Sequence, residues 1–236
     1  MKGFKKILAA ALAVAALSLS ACGNGGGAQS AQPSSAPAAE AAGSQQDQSQ
    51  EPAPANGGNI LIAYFTAAEN SGVDAIASAS YTTINGQAVG RIRAVADMIQ
   101  QNVGGDLFSI RTAVVYPADG GALIDYAAQE QDQDARPELT SHIENLDQYD
   151  TVFIGYPNWW ADMPQALYSF FDEYDFSGKT IVPFNVHNGS RFSRTIETIQ
   201  ELEPNATVIE NGFTVNEQNV AQAAADVASW LEGLGY

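Results

Sequence analysis

At 236 residues and 45% apolar, the chain is long enough for one ordinary domain with a packed core. A single cysteine excludes an intramolecular disulfide framework and a Cys-rich zinc site, and two histidines, His142 and His187, argue against a His-rich metal centre, so no metal is expected. Ten basic residues against 27 acidic ones, a formal charge of −17, exclude a nucleic-acid binder, which needs clustered Lys and Arg against phosphates.

The first element reads as a leader. Lys2, Lys5 and Lys6 precede an apolar run, Ile7–Leu17, that is too short to span a bilayer comfortably. Leu19-Ser20-Ala21-Cys22 then resembles the lipobox of bacterial lipoproteins, where cleavage before the cysteine leaves it as the lipid-bearing N-terminus. The only cysteine of the chain sits at that position. Residues 1–21 are therefore expected to be a lipoprotein signal peptide, with Cys22 lipidated and the protein extracytoplasmic, anchored to the bacterial cell membrane. A plain secretory signal with an incidental cysteine, or a buried helix, are the other readings of the run. Residues 22–58 are Gly, Ala, Ser, Gln and Pro almost throughout, without aromatics or large aliphatics. Such a segment cannot offset the entropy of ordering and is expected to be a disordered tether reaching about 30–36 Å. The folded domain is expected over 59–236.

Within it, Asn59–Phe65 is a short continuous apolar run, the mark of a strand buried on both faces. Residues 66–88 carry no strong period and read as a long loop. Ile92, Val95, Ala96, Ile99 and Val103 follow helical spacing, and Gly104-Gly105 stops that helix. Asp106–Arg111 reads as a second strand. Weak helical patterns lie at Ala122–Glu130 and Pro137–Leu146. Thr151–Tyr156 is a third strand, Gln165–Tyr174 a helix, and Lys179–Asn185 a fourth strand. Ser193–Leu202 is a helix, Ala206–Ile209 with Gly212–Val215 makes the fifth strand, and Val220–Leu234 is a terminal helix. Strands alternating with helices give an α/β fold, a parallel sheet covered on both faces. Ligands of such sheets bind at the carboxyl ends of the strands, which singles out the loops 66–91, 157–164 and 186–193.

The second of these loops carries Trp159-Trp160 directly after a buried strand. Two adjacent indoles cannot both point inward on one face, so at least one lies across the crevice or on the surface, where it is a stacking platform for a planar ligand. Packing of both rings in the core is the competing reading.

Three features together resemble the flavodoxin-like flavoprotein family. They are Gly155-Tyr156-Pro157-Asn158-Trp159-Trp160 followed by Pro164, then Tyr174-Asp175-Phe176-Ser177-Gly178-Lys179, then a Ser/Gly-containing loop after strand four. More narrowly they resemble its short-chain branch with a Pro-x-Trp-Trp loop; the opening Ile60-Leu61-Ile62-Ala63-Tyr64-Phe65-Thr66 matches its first strand. The resemblance covers essentially all of 59–236. It implies a flavodoxin-like three-layer sandwich, with a five-stranded parallel sheet of order 2-1-3-4-5 and FMN at the strand ends. Carried over position by position, it places the FMN phosphate on Thr66, Ala67, Ala68, Glu69 and Asn70, and the ring against Pro157, Asn158, Trp159 and Trp160, then Asn188, Gly189 and Ser190.

The chain departs from the family pattern in two places. About twenty residues separate Asn70 from the helix, and the usual Gly-Asn-Thr reads Gly90-Arg91-Ile92. The strand-four loop reads Val186-His187-Asn188-Gly189-Ser190-Arg191, with two glycines and a hydroxyl replaced. Either Arg91 and Arg191 supply charge in place of lost hydroxyls, or the site has drifted from FMN. Glu69 would repel a phosphate unless it turns away or pairs with Arg91. His187 could donate a proton to a reduced flavin or quinone, though a hydrogen-bonded loop histidine is the plainer reading, and Glu69 with Asp162 could form a carboxylate pair. The expected function is thus a membrane-anchored FMN flavoprotein passing electrons between a reduced donor and a quinone or a basic redox protein. The alternative is a flavodoxin-fold binding module that has lost FMN and takes another ligand or a protein partner. No side chain stands out as a catalytic acid or base.

Overall fold

Apolar runs that alternate with amphipathic segments can bury both faces of a sheet only by crossing over it, and the chain does so four times. The computed structural model describes residues 59–71 and 80–236. The expected signal peptide, Cys22 and tether lie outside the described residues, as do positions 72–79 of the expected loop. The strands are β1 (Ile60–Tyr64), β2 (Tyr81–Ile84), β3 (Gln87–Gly90), β4 (Asp106–Ser109), β5 (Thr151–Pro157), β6 (Thr180–His187), β7 (Thr207–Val208) and β8 (Phe213–Asn216). The helices are α1 (Arg91–Val103), α2 (Gly120–Asp132), α3 (Gln165–Glu173), α4 (Thr195–Leu202) and α5 (Ala224–Leu234).

The main sheet runs β4-β1-β5-β6-β7, with β8 also on β6, and every pairing in it is parallel. Counting only its strands, this is the expected order 2-1-3-4-5, except that the fifth strand is interrupted. Ile181 pairs with Val208 and Phe184 with Phe213, so the break lies opposite Val182 and Pro183, a residue with no N–H to give. Alternation along the strands divides the core in two. Ile60, Ile62, Tyr64, Phe153 and Phe184 pack with Ile92, Val95 and Ile99 of α1 and Val227 and Leu231 of α5. Leu61, Ala63, Phe65, Val152, Ile154 and Tyr156 pack with Leu123 of α2, Leu167 and Phe170 of α3 and Ile199 of α4.

Two sequence expectations are corrected. The expected loop 66–88 contains the hairpin β2–β3, turned by Asn85 (φ 51) and Gly86 (φ 80), the left-handed pair a two-residue hairpin requires. Pro137–Leu146 is not a helix. Its residues reach back to the segment that follows β4 instead: Ala113 N–H donates to Glu138 O (2.9 Å) and Thr140 N–H to Arg111 O (2.8 Å). Non-local pairing overrides a weak local pattern there.

Helix α2 also carries a carboxyl into the interior. Glu130 is 6% exposed, and both its oxygens lie 3.2 Å from the Tyr116 hydroxyl, which donates to it. Burial pushes its pKa up from 4.5 to about 7, against the opposing hydrogen bond from Tyr116. The folded state therefore holds this proton more tightly than the unfolded chain does. Its contribution to stability is complete below pH 4.5 and is lost as the pH rises through about 7. Glu130→Gln is expected to gain stability over the parent as the pH climbs from 5 to 8, by on the order of 2 kcal/mol. Denaturant unfolding across that range checks it, and a pH-independent difference contradicts it.

Candidate functional site

Strands β1, β5 and β6 end side by side, and the segments leaving them frame a cavity of about 650 Å³. That volume is in the range of small-ligand sites. At one end the chain leaving β1 makes a short 3₁₀ turn, Ala67–Glu69, with Thr66 and Ala67 facing the cavity. Helix α1 begins against this turn. A side-chain carbon added at Gly90 would stand 2.7 Å from Thr66 Oγ1 and 3.3 Å from Ala68 Cβ, so only glycine permits the approach. The hairpin delivers the helix there: Tyr81 pairs with Gly90, and Arg91 N–H donates to Ser80 O (2.7 Å). Arg91 and Ile92 line the cavity.

Ala68, Glu69 and Asn70, assigned to a phosphate by the resemblance, are not among the cavity-lining residues. Glu69 turns away and is bound by Ser109 Oγ (2.6 Å), the Tyr64 hydroxyl (3.2 Å), Arg111 (3.3 Å) and Arg93 (3.7 Å), not by Arg91. Asn70 is buried; its amide donates to Thr66 O (3.0 Å) and Ile110 O (3.2 Å), and its oxygen accepts from Thr112 N–H (2.9 Å). These two side chains tie the turn to the end of β4. Hydrogen bonding and charge pairing fix where they point, because both are withdrawn from water.

Pro157, Asn158, Trp159 and Trp160 all line the cavity. Trp159 and Asp162 exchange two backbone hydrogen bonds of 2.9 Å, closing a two-residue turn in which Trp160 (φ 51) and Ala161 (φ 63) are both left-handed. Non-glycine residues adopt that region at a cost, and here two adjacent ones do. Asp162 steadies the turn, accepting from Met163 N–H (2.8 Å) and the Tyr168 hydroxyl (2.9 Å). It therefore forms no pair with Glu69. The Trp159 ring packs edge-on against Phe65 (centroids 5.7 Å, 88°) and against Tyr116. Trp160 stays 55% exposed at the rim, its indole N–H donating to Ile124 O (3.0 Å). One ring thus belongs to the core and the other to the mouth.

The end of β6 contributes Val186 and His187 to the lining and the loop after it Asn188; Gly189 and Ser190 do not reach it. Ser190 Oγ donates to Asn158 Oδ1 (3.0 Å), and the amides of Asn158 (2.9 Å) and Asn185 (2.8 Å) both donate to Arg191 O. Arg191 is held by its backbone (φ 53), and its side chain is exposed outside the cavity, so Arg91 alone of the two arginines is placed to supply charge. His187 Nδ1 accepts from Gly189 N–H (2.8 Å), which leaves its proton on Nε2. Burial, with Arg191 nearby, lowers its pKa below 6.5 against the pull of Glu217, so it is a neutral donor at pH 7.

Sequence reasoning missed the far wall, Leu123, Ile124 and Ala127 of α2, and Glu217 after β8. Ile124 is 51% exposed beside the buried Leu123, and no local signal separates them, since adjacent residues of a helix can both be buried, as Phe170 and Phe171 are. Nothing local marks Glu217.

Residues 59–234 match the family model described as flavodoxin. Among solved structures, the chain is similar to a candidate flavoprotein from Bacteroides eggerthii DSM 20697 (28% identity, TM-score 0.54, covering 73% of this chain and 99% of that one). It is also similar to one from Bacteroides uniformis ATCC 8492 (25%, TM-score 0.57, 75% and 99%). A flavoprotein in complex with FMN from Lactobacillus acidophilus NCFM shares the fold at 16% identity (TM-score 0.51, 70% and 98%). No curated protein matches the sequence.

The strained turn makes a direct prediction. Ala161→Gly removes a Cβ from a left-handed position and is expected to stabilise the protein by about 0.5–1 kcal/mol. A lower thermal unfolding midpoint would show that the turn stores no strain.

Proposed function

This chain belongs to the flavodoxin family, and we propose that it holds FMN in the cavity at the ends of β1, β5 and β6 and acts in electron transfer. One observation carries the reading: a single cavity is lined by Trp159, Trp160 and the apolar face of α2 together with Thr66 and Arg91. A planar ring suits the aromatic side, and a phosphate suits a hydroxyl and a guanidinium beside the first turn of α1. The slot also lies where the strand order reverses, between β1 and β5. The Bacteroides neighbours, described as candidate flavoproteins, point the same way.

In this reading Pro157, Asn158, Trp159, Trp160 and Asn188 hold the ring, while Thr66, Ala67 and Arg91 hold the phosphate. Bound FMN supplies reversible one- and two-electron chemistry. The protein's part is to orient the ring, to keep water from its buried side through Trp159 and α2, and to present the neutral His187 Nε2–H as a hydrogen-bond donor. The formal charge of −17 favours a cationic redox partner, and a quinone is the small-molecule alternative. The lipobox-like segment extends the proposal to an extracytoplasmic protein anchored through lipid on Cys22, with residues 22–58 as a tether. The Arg91 guanidinium is already engaged by Glu217, which favours a second reading, a binding module with a different ligand.

Protein isolated with bound flavin, releasing FMN on denaturation, is the expected outcome; colourless protein that takes up no added FMN selects the binding module. Trp159→Ala and Trp160→Ala are each expected to weaken FMN binding roughly tenfold, the scale of one aromatic contact. Unchanged affinity in both would remove the ring from this loop. Cys22→Ser is expected to move the protein from the membrane pellet to the soluble fraction of expressing cells; retention in the pellet would overturn the lipid anchor.

A further inference from the structure

The cavity wall holds one pair of opposite charges that holding a flavin does not require. Arg91 Nη1 and Glu217 Oε2 stand 2.8 Å apart, with side chains 16% and 25% exposed. They come from opposite edges of the site. Arg91 opens α1 beside Thr66; Glu217 follows β8, and its N–H donates to His187 O (2.9 Å). The pair lies in the cavity lining and joins residues 126 apart in sequence. Among the described lining residues, these two are the only ones that carry formal charge at pH 7, and the two charges cancel.

We infer that Glu217 sets the charge preference of this site: by pairing with Arg91 it makes the pocket discriminate only weakly between the phosphorylated flavin FMN and uncharged riboflavin. A guanidinium offers its forked donors to one planar or tetrahedral anion at a time. A phosphate arriving at Arg91 must share it with the Glu217 carboxylate and is repelled by that carboxylate across a partly buried, weakly screened gap. An uncharged ribityl end meets neither effect. Glu217 is thus a specificity-determining residue for the anionic end of the ligand, and the inference rests on the flavin reading above.

The test is a titration of the folded protein with FMN and with riboflavin, following flavin fluorescence, alongside unfolding midpoints in the presence of each. Glu217→Gln keeps the shape and removes the competing charge. It is expected to raise the preference for FMN over riboflavin about tenfold, the scale of one hydrogen bond to a charged group. The gain is expected to shrink as salt is added. The double variant Arg91→Gln, Glu217→Gln removes both charges of the pair and is expected to show less FMN preference than Glu217→Gln alone. It keeps the question answerable if the single variant folds poorly, because it too must fall at or below the parent's preference. If both flavins bind and Glu217→Gln leaves their ratio unchanged, or the double variant prefers FMN more than the parent does, the role of Glu217 is overturned while the flavin site stands. If neither flavin binds the parent or any variant, the flavin site falls and this inference falls with it.

Discussion

The site depends on one close approach: the turn after β1 has to meet the first residue of α1, although the two lie about twenty residues apart in sequence. Thr66 sits where a Cβ on Gly90 would be, so the contact exists only because Gly90 has none. The intervening chain does not have to reach across the cavity, because its second half folds onto itself as β2–β3 and returns α1 to the turn. A self-paired hairpin satisfies its own backbone, which is why an insertion at this position leaves the parallel sheet and its order unchanged.

Most polar side chains around the mouth serve the protein rather than a ligand. Glu69 and Asn70 fasten the first turn to β4, Asp162 fastens the tryptophan turn to α3, and Asn158 with Asn185 fastens the loop after β6. Each loop is thereby fixed before any ligand arrives, which lowers the ordering cost of binding. The same fastening sustains left-handed backbone at Trp160, Ala161, Arg191 and Ser193. Strain of that kind persists only when the surroundings over-determine it, and here it lies in the two neighbouring loops after β5 and β6, which Asn158 ties to each other.

What remains to meet a ligand is sparse: two indoles, an apolar helix face, Thr66 and Ser80, the amides of Asn158 and Asn188, a neutral histidine and one ion pair. A lining of this kind recognises shape first and charge second. Any discrimination by charge is concentrated at Arg91 and Glu217, whereas the aromatic walls act alike on every planar ring of the right width.

The sequence by itself determined the strands of the main sheet and most of the helices, while the order of the sheet came only with the family resemblance. Apolar runs such as Ile60–Phe65 and Thr151–Tyr156 are local, and burial on both faces allows them few alternatives. It also suggested that at least one of Trp159 and Trp160 lies outside the core, since adjacent residues cannot share one side of a strand; the structure makes that one Trp160. The Asn85-Gly86 hairpin was legible too, in a dipeptide whose turn type is local, but the stretch carried no period to draw attention to it. Only the tertiary structure decided which members of a loop face the cavity. Glu69 and Asn70 read as phosphate ligands by position, yet Ser109, Arg111 and Ile110 turn them inward from 40 or more residues away. Glu217 became part of the site in the same way, through a partner 126 residues distant. Side-chain direction in an irregular segment is set by whichever distant groups can satisfy its charges and hydrogen bonds, and no local pattern encodes those.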